Sequence, residues 1–156
     1  MRKEKVKFLD KSYNVINRGS GAECIFLQIS STEGIKSYFR KELAEIARER
    51  QLKAYKHKIG PKVLSIVHPM KFHNYTRYGY KTQVVKVVET ERFKGKQELI
   101  KKAKQVFNYF VPDETVRIYN VGRIRQRLVI IDFGNCSFEW LRLTLTGEIP
   151  IFYHQI

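Results

Sequence analysis

Cysteine and acidic residues are both scarce in this 156-residue chain, and long apolar runs are missing. The two cysteines, Cys24 and Cys136, form no Cys-x-x-Cys pair and have no matching histidine pattern, which argues against a zinc site. Unpaired thiols of this kind are typical of a reducing compartment. No apolar run approaches the roughly 20 residues of a membrane helix, and the charged N-terminus lacks a signal-peptide core. We therefore expect a cytoplasmic protein that does not enter a membrane.

The shortage of acids leaves the chain strongly basic. Thirty Lys and Arg stand against 15 Asp and Glu, which gives a formal net charge of +15. Such a charge favours anionic partners, namely a nucleotide, a nucleic acid or an acidic protein. Hydrophobic residues make up 43% of the chain, so a packed core is expected. No Pro/Gly/Ser-rich linker is present, and we therefore expect one domain over residues 1–156.

The order of the predicted elements indicates an α+β fold. Strands, a helix, more strands, a second helix and a hairpin follow one another, without the regular alternation of α/β proteins. Gly60-Pro61 is expected to end the first helix. We predict a curled antiparallel sheet of about five strands with this helix packed on it. The predicted strands lie within 5–30, with a break at 17–21, and at 35–39, 63–67, 75–80, 82–89 and 140–146, and the predicted helices are Lys41–Lys58 and 97–110.

The stretch Leu128–Gly134 carries the strongest functional signal. Its apolar, β-branched residues predict a buried strand that stops abruptly at Asp132. Two short strands joined by a tight turn at Arg125-Gln126 would bring Asp132 back to the neighbourhood of Asn120. A carboxylate and an amide oxygen held together in this way suit magnesium, which prefers oxygen ligands.

Asn120 together with Asp132-Phe133-Gly134 resembles the metal-binding half of a protein-kinase active site. In kinases a catalytic-loop Asn and the Asp of Asp-Phe-Gly hold the Mg²⁺ ions that bridge the ATP phosphates. The element order is also similar to that of a kinase small lobe followed by the start of the large lobe. The resemblance implies a small lobe in about residues 1–90, a reduced large lobe in 91–156, and Mg-ATP as the cofactor.

The same resemblance assigns residues to the ATP phosphates. Gly19-Ser20-Gly21 precedes a strand and is similar to the glycine-rich loop of kinases, although Cys24 stands where the third glycine is usual. Lys36 lies on the next strand, where kinases place the lysine that contacts phosphate. Kinases fix that lysine with a glutamate from the following helix. The resemblance implies Glu49 for this role, with Glu45 as the second candidate.

The chain departs from the kinase pattern at the catalytic base. Kinases carry an Asp five residues before the metal-binding Asn, and here Thr115 stands at that position. A threonine cannot accept a proton as a carboxylate does. Either Asp113 swings into the site as the catalytic residue or the base has been lost, and both alternatives remain. Residues 135–156 are also too few to form the helical large lobe that binds protein substrates in kinases.

These observations leave three classes of function. The first is an ATP-dependent phosphotransferase that acts on a protein or small-molecule hydroxyl. The second is an inactive kinase-like regulator, of a size that would suit a viral protein in the host cytoplasm, docking on an acidic protein. The third is nucleic-acid binding through the basic segments 53–62, 94–104 and 117–127, which contain aromatic residues or lie beside them. The expected contact residues for an anionic macromolecule are Lys94, Lys96, Lys101, Lys102 and Lys104.

Overall fold

The computed structural model describes residues 4–21, 23–87, 96–107 and 121–134. Two compact units divide the chain. The first unit comprises residues 1–52 and 62–84, and the second comprises 53–61 and 85–156. Within the described ranges the chain forms ten strands and two helices, which confirms the α+β class. No helix in these ranges has the length and apolar character needed to cross a membrane.

The first unit is built on one antiparallel sheet. Seven strands take part, two more than the about five that the sequence predicts. They are β1 (Lys5–Phe8), β2 (Lys11–Asn14), β3 (Asn17–Ser20), β4 (Cys24–Gln28), β5 (Glu33–Tyr38), β6 (His68–Phe72) and β7 (Tyr75–Gln83). Their hydrogen-bonded order is β2-β1-β6-β7-β5-β4-β3.

The two ends of this strand order are neighbours in the chain. Only Val15 and Ile16 separate β2 from β3, so the two strand ends lie within about 11 Å of each other. The Val15 amide donates to the Glu4 carbonyl at 2.9 Å, and the Ile16 amide donates to the Gln28 carbonyl at 2.8 Å. The sheet therefore curls until its two edges meet. The buried cluster that the strands share consists of Val6, Phe8, Leu27, Ile35, Met70 and Phe72.

Helix α1 (Lys41–Lys56) ends two residues before the predicted boundary. Lys58 takes a left-handed backbone conformation with φ 63°, and the Ile59 amide donates back to the Ala54 carbonyl at 2.9 Å. This bond caps the last turn, and Gly60-Pro61 follows. A glutamate in the first turn and lysines in the last turn complement the helix dipole. The buried stripe of the helix consists of Ala44, Ala47, Gln51 and Ala54.

The second unit contains a smaller sheet and the second helix. Its elements are β8 (Lys86–Val87), α2 (Lys96–Val106), β9 (Val121–Ile124) and β10 (Arg127–Ile130), with strand order β10-β9-β8. The predicted hairpin is confirmed, since Val121 pairs with Ile130 and Arg125 begins the turn with φ 57°. Helix α2 packs on β10 through Leu99, Ala103 and other apolar residues. The Ile130 amide donates to the Ile59 carbonyl at 2.8 Å, which fixes the loop after α1 to this hairpin.

Several predicted strand boundaries are wrong. The predicted break at 17–21 contains β3, because pairing with β4 outweighs the weak strand propensity of its residues. The predicted strand 63–67 contributes only one isolated bridge, between Val63 and Thr82. Next to this bridge the Lys81 amide donates to the Ser65 hydroxyl at 2.8 Å. A side-chain oxygen thus takes the place of the backbone carbonyl that would continue the pairing as a strand. The stretches 75–80 and 82–83 form one strand, and 140–146 lies outside the described residues.

Candidate functional site

Lys36 lies on the face of the large sheet that meets helix α1. Successive residues of a strand point to opposite faces, so Ile35 enters the apolar cluster while Lys36 points the other way. The lysine is only 7% exposed. Its Nζ donates a hydrogen bond to Oε1 of Gln51 at 3.0 Å. The strand and the helix thus fix the direction of an enclosed ammonium group.

Two further side chains fix the amide of Gln51. The Tyr80 hydroxyl donates to Oε1 of Gln51 at 2.7 Å, and Nε2 of Gln51 donates to the Thr82 hydroxyl at 2.7 Å. Tyr80 pairs directly with Lys36 in the β5–β7 ladder, so both residues are on the same face. Gln51, Tyr80 and Thr82 have no solvent exposure. We call these four residues the Lys36–Gln51 network.

The predicted partners of Lys36 are wrong. Glu49 is exposed and contacts its neighbour Arg48 at 3.4 Å, while Glu45 is exposed and pairs with Lys41 at 3.8 Å. Successive residues of an α-helix are rotated by about 100° around its axis. Glu49 is therefore rotated by about 200° from Gln51 and lies on a different face of the helix. The available signal was a polar residue on the alanine stripe of α1. An amide oxygen can accept a hydrogen bond from an ammonium group, as a carboxylate does. The kinase pattern of a lysine paired with a glutamate does not include this alternative.

The predicted phosphate loop forms an exposed hairpin. Gly19 and Ser20 belong to β3, and the Gly21 amide donates to the Cys24 carbonyl at 2.8 Å as the chain turns into β4. A Cβ at Gly19 would meet nothing within 4 Å, and one at Gly21 would meet only the Cys24 carbonyl, at 3.6 Å. Neither packing nor a left-handed backbone requires glycine at these positions. The hairpin therefore leaves its backbone open to close approach by a ligand.

Asp132 follows the buried strand β10 in the second unit. Its Oδ1 accepts a hydrogen bond from the Gly134 amide at 3.0 Å, and the neighbouring Phe133 is fully buried. Among the described residues no hydrogen-bond donor reaches Oδ2. Asn120 and Asp113 lie outside the described residues, although Asn120 directly precedes the ladder residue Val121. In the described ranges no three His, Cys, Asp or Glu side chains come together to hold a metal.

Two ionisable groups of the first unit have shifted pKa values. A hydrogen bond from His73 lowers the pKa of Glu4; desolvation opposes this effect, and Arg18, 2.9 Å away, lowers the pKa further. Burial lowers the pKa of Arg77, whose guanidinium donates to the hydroxyl and the carbonyl of Ser37 at 2.9 and 3.0 Å. Ser37 follows Lys36 on β5, so Arg77 fixes the backbone next to the candidate lysine.

Four of the five predicted contact lysines, Lys96, Lys101, Lys102 and Lys104, lie on α2. Lys101, Lys102 and Lys104 are exposed there, whereas Lys94 lies outside the described residues.

Comparison of the chain with protein-family models, with curated proteins and with solved structures finds no match.

Proposed function

We propose that the chain binds Mg-ATP and that Lys36 contacts the phosphates, in the manner of protein kinases. The observation that carries the proposal is the position of Lys36, on the strand before helix α1 with its ammonium held by a side chain of that helix. Kinases also hold their phosphate-contacting lysine with a side chain of the following helix, although that side chain is a glutamate. A surface lysine needs no such support, since water solvates it.

The neutral side chain that α1 offers to Lys36 supports the same proposal. The Gln51 amide directs the ammonium group through a hydrogen bond without adding a negative charge. The phosphates of a nucleotide carry charge that such an ammonium can offset. Because Gln51 is fixed by Tyr80 and Thr82, the lysine needs little rearrangement when a ligand binds.

The other candidate residues take the roles that the kinase resemblance gives them. Asp132 and Asn120 would hold Mg²⁺, and Gly19-Ser20-Gly21 would cover the phosphates. Transfer of the phosphoryl group to a protein or small-molecule hydroxyl needs a base, for which Asp113 is the candidate. Without that base the chain would act as an ATP-binding regulator.

Calorimetric titration with Mg-ATP tests the proposal. The Lys36→Met variant should bind Mg-ATP about tenfold or more weakly than the wild type. Lys71→Met is the matched control, since it removes an exposed lysine from β6 of the same sheet, and it should bind as the wild type does. Equal affinity for all three proteins would refute the proposal. Turnover of γ-labelled ATP then separates a phosphotransferase from a regulator.

A further inference from the structure

The second unit contains a cavity of about 550 Å³ that the proposed nucleotide site does not use. Three segments meet there, namely the loop after α1, helix α2 and the β9–β10 hairpin. Among the residues that the structure describes, those that line the cavity all belong to the second unit, and none belongs to the Lys36–Gln51 network. The volume lies within the range of ligand-binding pockets in proteins.

The rim of this cavity is strongly basic. Within the described part of the chain, four cationic side chains line it together with a single carboxylate, Glu98; the cations are Lys58, Lys101, Lys102 and Arg127. Each of the three basic segments of the sequence contributes at least one of these cations. Folding thus brings together charges that are far apart in the chain, and their mutual repulsion opposes that arrangement. A bound anion would relieve the repulsion.

The floor of the cavity is apolar. Ile59, Leu99 and Leu128 line it and are 3%, 4% and 7% exposed, so they belong to the core of the unit as well. Cations above an apolar floor suit a ligand that presents phosphates next to sugars or bases. Single-stranded nucleic acid has this character, because its bases are free to contact a protein surface, while a duplex keeps them stacked inside.

The backbone around the cavity is fixed before any ligand arrives. The Ile59 carbonyl accepts from the Ile130 amide at 2.8 Å, which joins the loop after α1 to β10. Lys58 has φ 63° and stands where the helix is capped by the bond between Ile59 and Ala54. A fixed backbone reduces the entropy lost when a ligand orders the rim.

We propose that this cavity binds a segment of single-stranded nucleic acid, with its phosphates against the cations and its sugars or bases against the apolar floor. An acidic protein would also meet the lysines, but the net charge of +15 favours a partner of high charge density, which releases counterions on binding. The two amide side chains at the rim, Gln105 and Gln126, supply further donors for phosphate oxygens. This site is independent of the proposed ATP site, because the two share no residue.

Fluorescence anisotropy with a labelled oligonucleotide of about 12 nucleotides tests the proposal. The pocket variant Lys101→Glu/Lys102→Glu/Arg127→Glu should lose affinity at least about tenfold, because three phosphate contacts become repulsive. The matched control Lys7→Glu/Lys11→Glu/Lys71→Glu carries the same change in net charge on exposed positions of the first unit, and should lose much less. Thermal unfolding of both variants would show that they fold.

The salt dependence gives a second readout. The plot of log K against log salt concentration should become shallower by about 2 in the pocket variant, since each contact to a single strand contributes roughly 0.7 to the slope. The control variant should keep nearly the wild-type slope. Equal losses in both variants would mean diffuse attraction to the whole surface and would overturn the proposal.

Two competitors distinguish the remaining ligands. Poly-glutamate at equal charge concentration should displace the oligonucleotide poorly, and efficient displacement would identify an acidic protein as the partner and overturn the proposal. Mg-ATP should not compete, and the pocket variant should still bind it. If the pocket variant lost both ligands and Mg-ATP displaced the oligonucleotide, the cavity would be a nucleotide site and the proposal would fail.

Discussion

The ammonium group of Lys36 donates to the side-chain oxygen of Gln51 across the contact between strand β5 and helix α1, at 3.0 Å. The side-chain amide of Gln51 can take only one orientation, because Tyr80 donates to the same oxygen and Thr82 accepts from the nitrogen. The helix thus directs the lysine with a neutral group. Four polar side chains are satisfied together in a place where an unsatisfied one would be costly.

Removal of the amide should therefore destabilise the protein. In Gln51→Leu the ammonium of Lys36 and the hydroxyls of Tyr80 and Thr82 lose a buried partner, and we expect a loss of about 3 kcal/mol in the free energy of unfolding. Urea denaturation measures it. Gln97→Leu, which makes the same change at an exposed position of α2, should stay within about 0.5 kcal/mol of the wild type. A similar loss in both variants would show that the Lys36–Gln51 network adds nothing to the free energy of unfolding.

Two glycines of the large sheet should respond differently to alanine. A Cβ at Gly79 would lie 2.7 Å from the Lys36 carbonyl and 2.6 Å from Sδ of Met70, so Gly79→Ala should cost roughly 1–3 kcal/mol through overpacking. Gly19→Ala should leave stability unchanged, since its Cβ has open space. Denaturation curves compare the two variants, and equal losses would contradict the packing argument.

The Gly19→Ala variant also tests the phosphate loop. If the β3–β4 hairpin covers the ATP phosphates, the added methyl group should weaken Mg-ATP binding while the free energy of unfolding stays the same. Calorimetry on this stable variant measures the effect without interference from unfolding. Unchanged affinity would mean that Gly19 does not approach the nucleotide.

Asp132→Asn should weaken Mg-ATP binding by more than tenfold, about 1.4 kcal/mol, because it removes a charge that offsets magnesium. The amide oxygen of the substituted side chain could still accept from the Gly134 amide, so the turn should persist and stability should change little. The control is ATP binding without Mg²⁺, where wild type and variant should agree. A variant that bound Mg-ATP as tightly as the wild type would leave Asp132 with a structural role only.

The Glu4 carboxylate should contribute a pH-dependent increment of stability. Its pKa is lowered from 4.5, chiefly by the hydrogen bond from His73, so the folded state favours the charged form. The contribution is therefore fully present above pH 4.5 and is lost as the pH falls through the lower pKa of the folded state. Glu4→Gln should be less stable than the wild type near neutral pH, and the difference should vanish in acid. Urea denaturation near neutral pH and in acid measures the difference in the free energy of unfolding between the two proteins. A difference that stays constant with pH would contradict the prediction.

The sequence predicts those elements whose signal is local. Helix α1 has good helix formers and a Gly-Pro stop, and the β9–β10 hairpin has apolar strands around a two-residue turn, so both are found where expected. Strand β3 could not be predicted, because its polar residues become a strand only through pairing with β4. The pairing of Lys36 with Gln51 depends on which face of α1 packs against β5, and residue types alone do not determine that face. The basic cavity likewise depends on tertiary contacts among three distant segments.

The meeting of the two sheet edges at Val15 and Ile16 has a consequence for self-association. A sheet edge normally presents a row of unpaired amides and carbonyls on which another chain can add a strand. Here the edge strands β2 and β3 have four residues each, and the two residues between them bond to the opposite ends of the sheet. The short connection and the short strands leave little edge on which a second molecule could add a strand. The four-residue length of β2 and β3 thereby limits the edge-to-edge pairing that begins fibril growth.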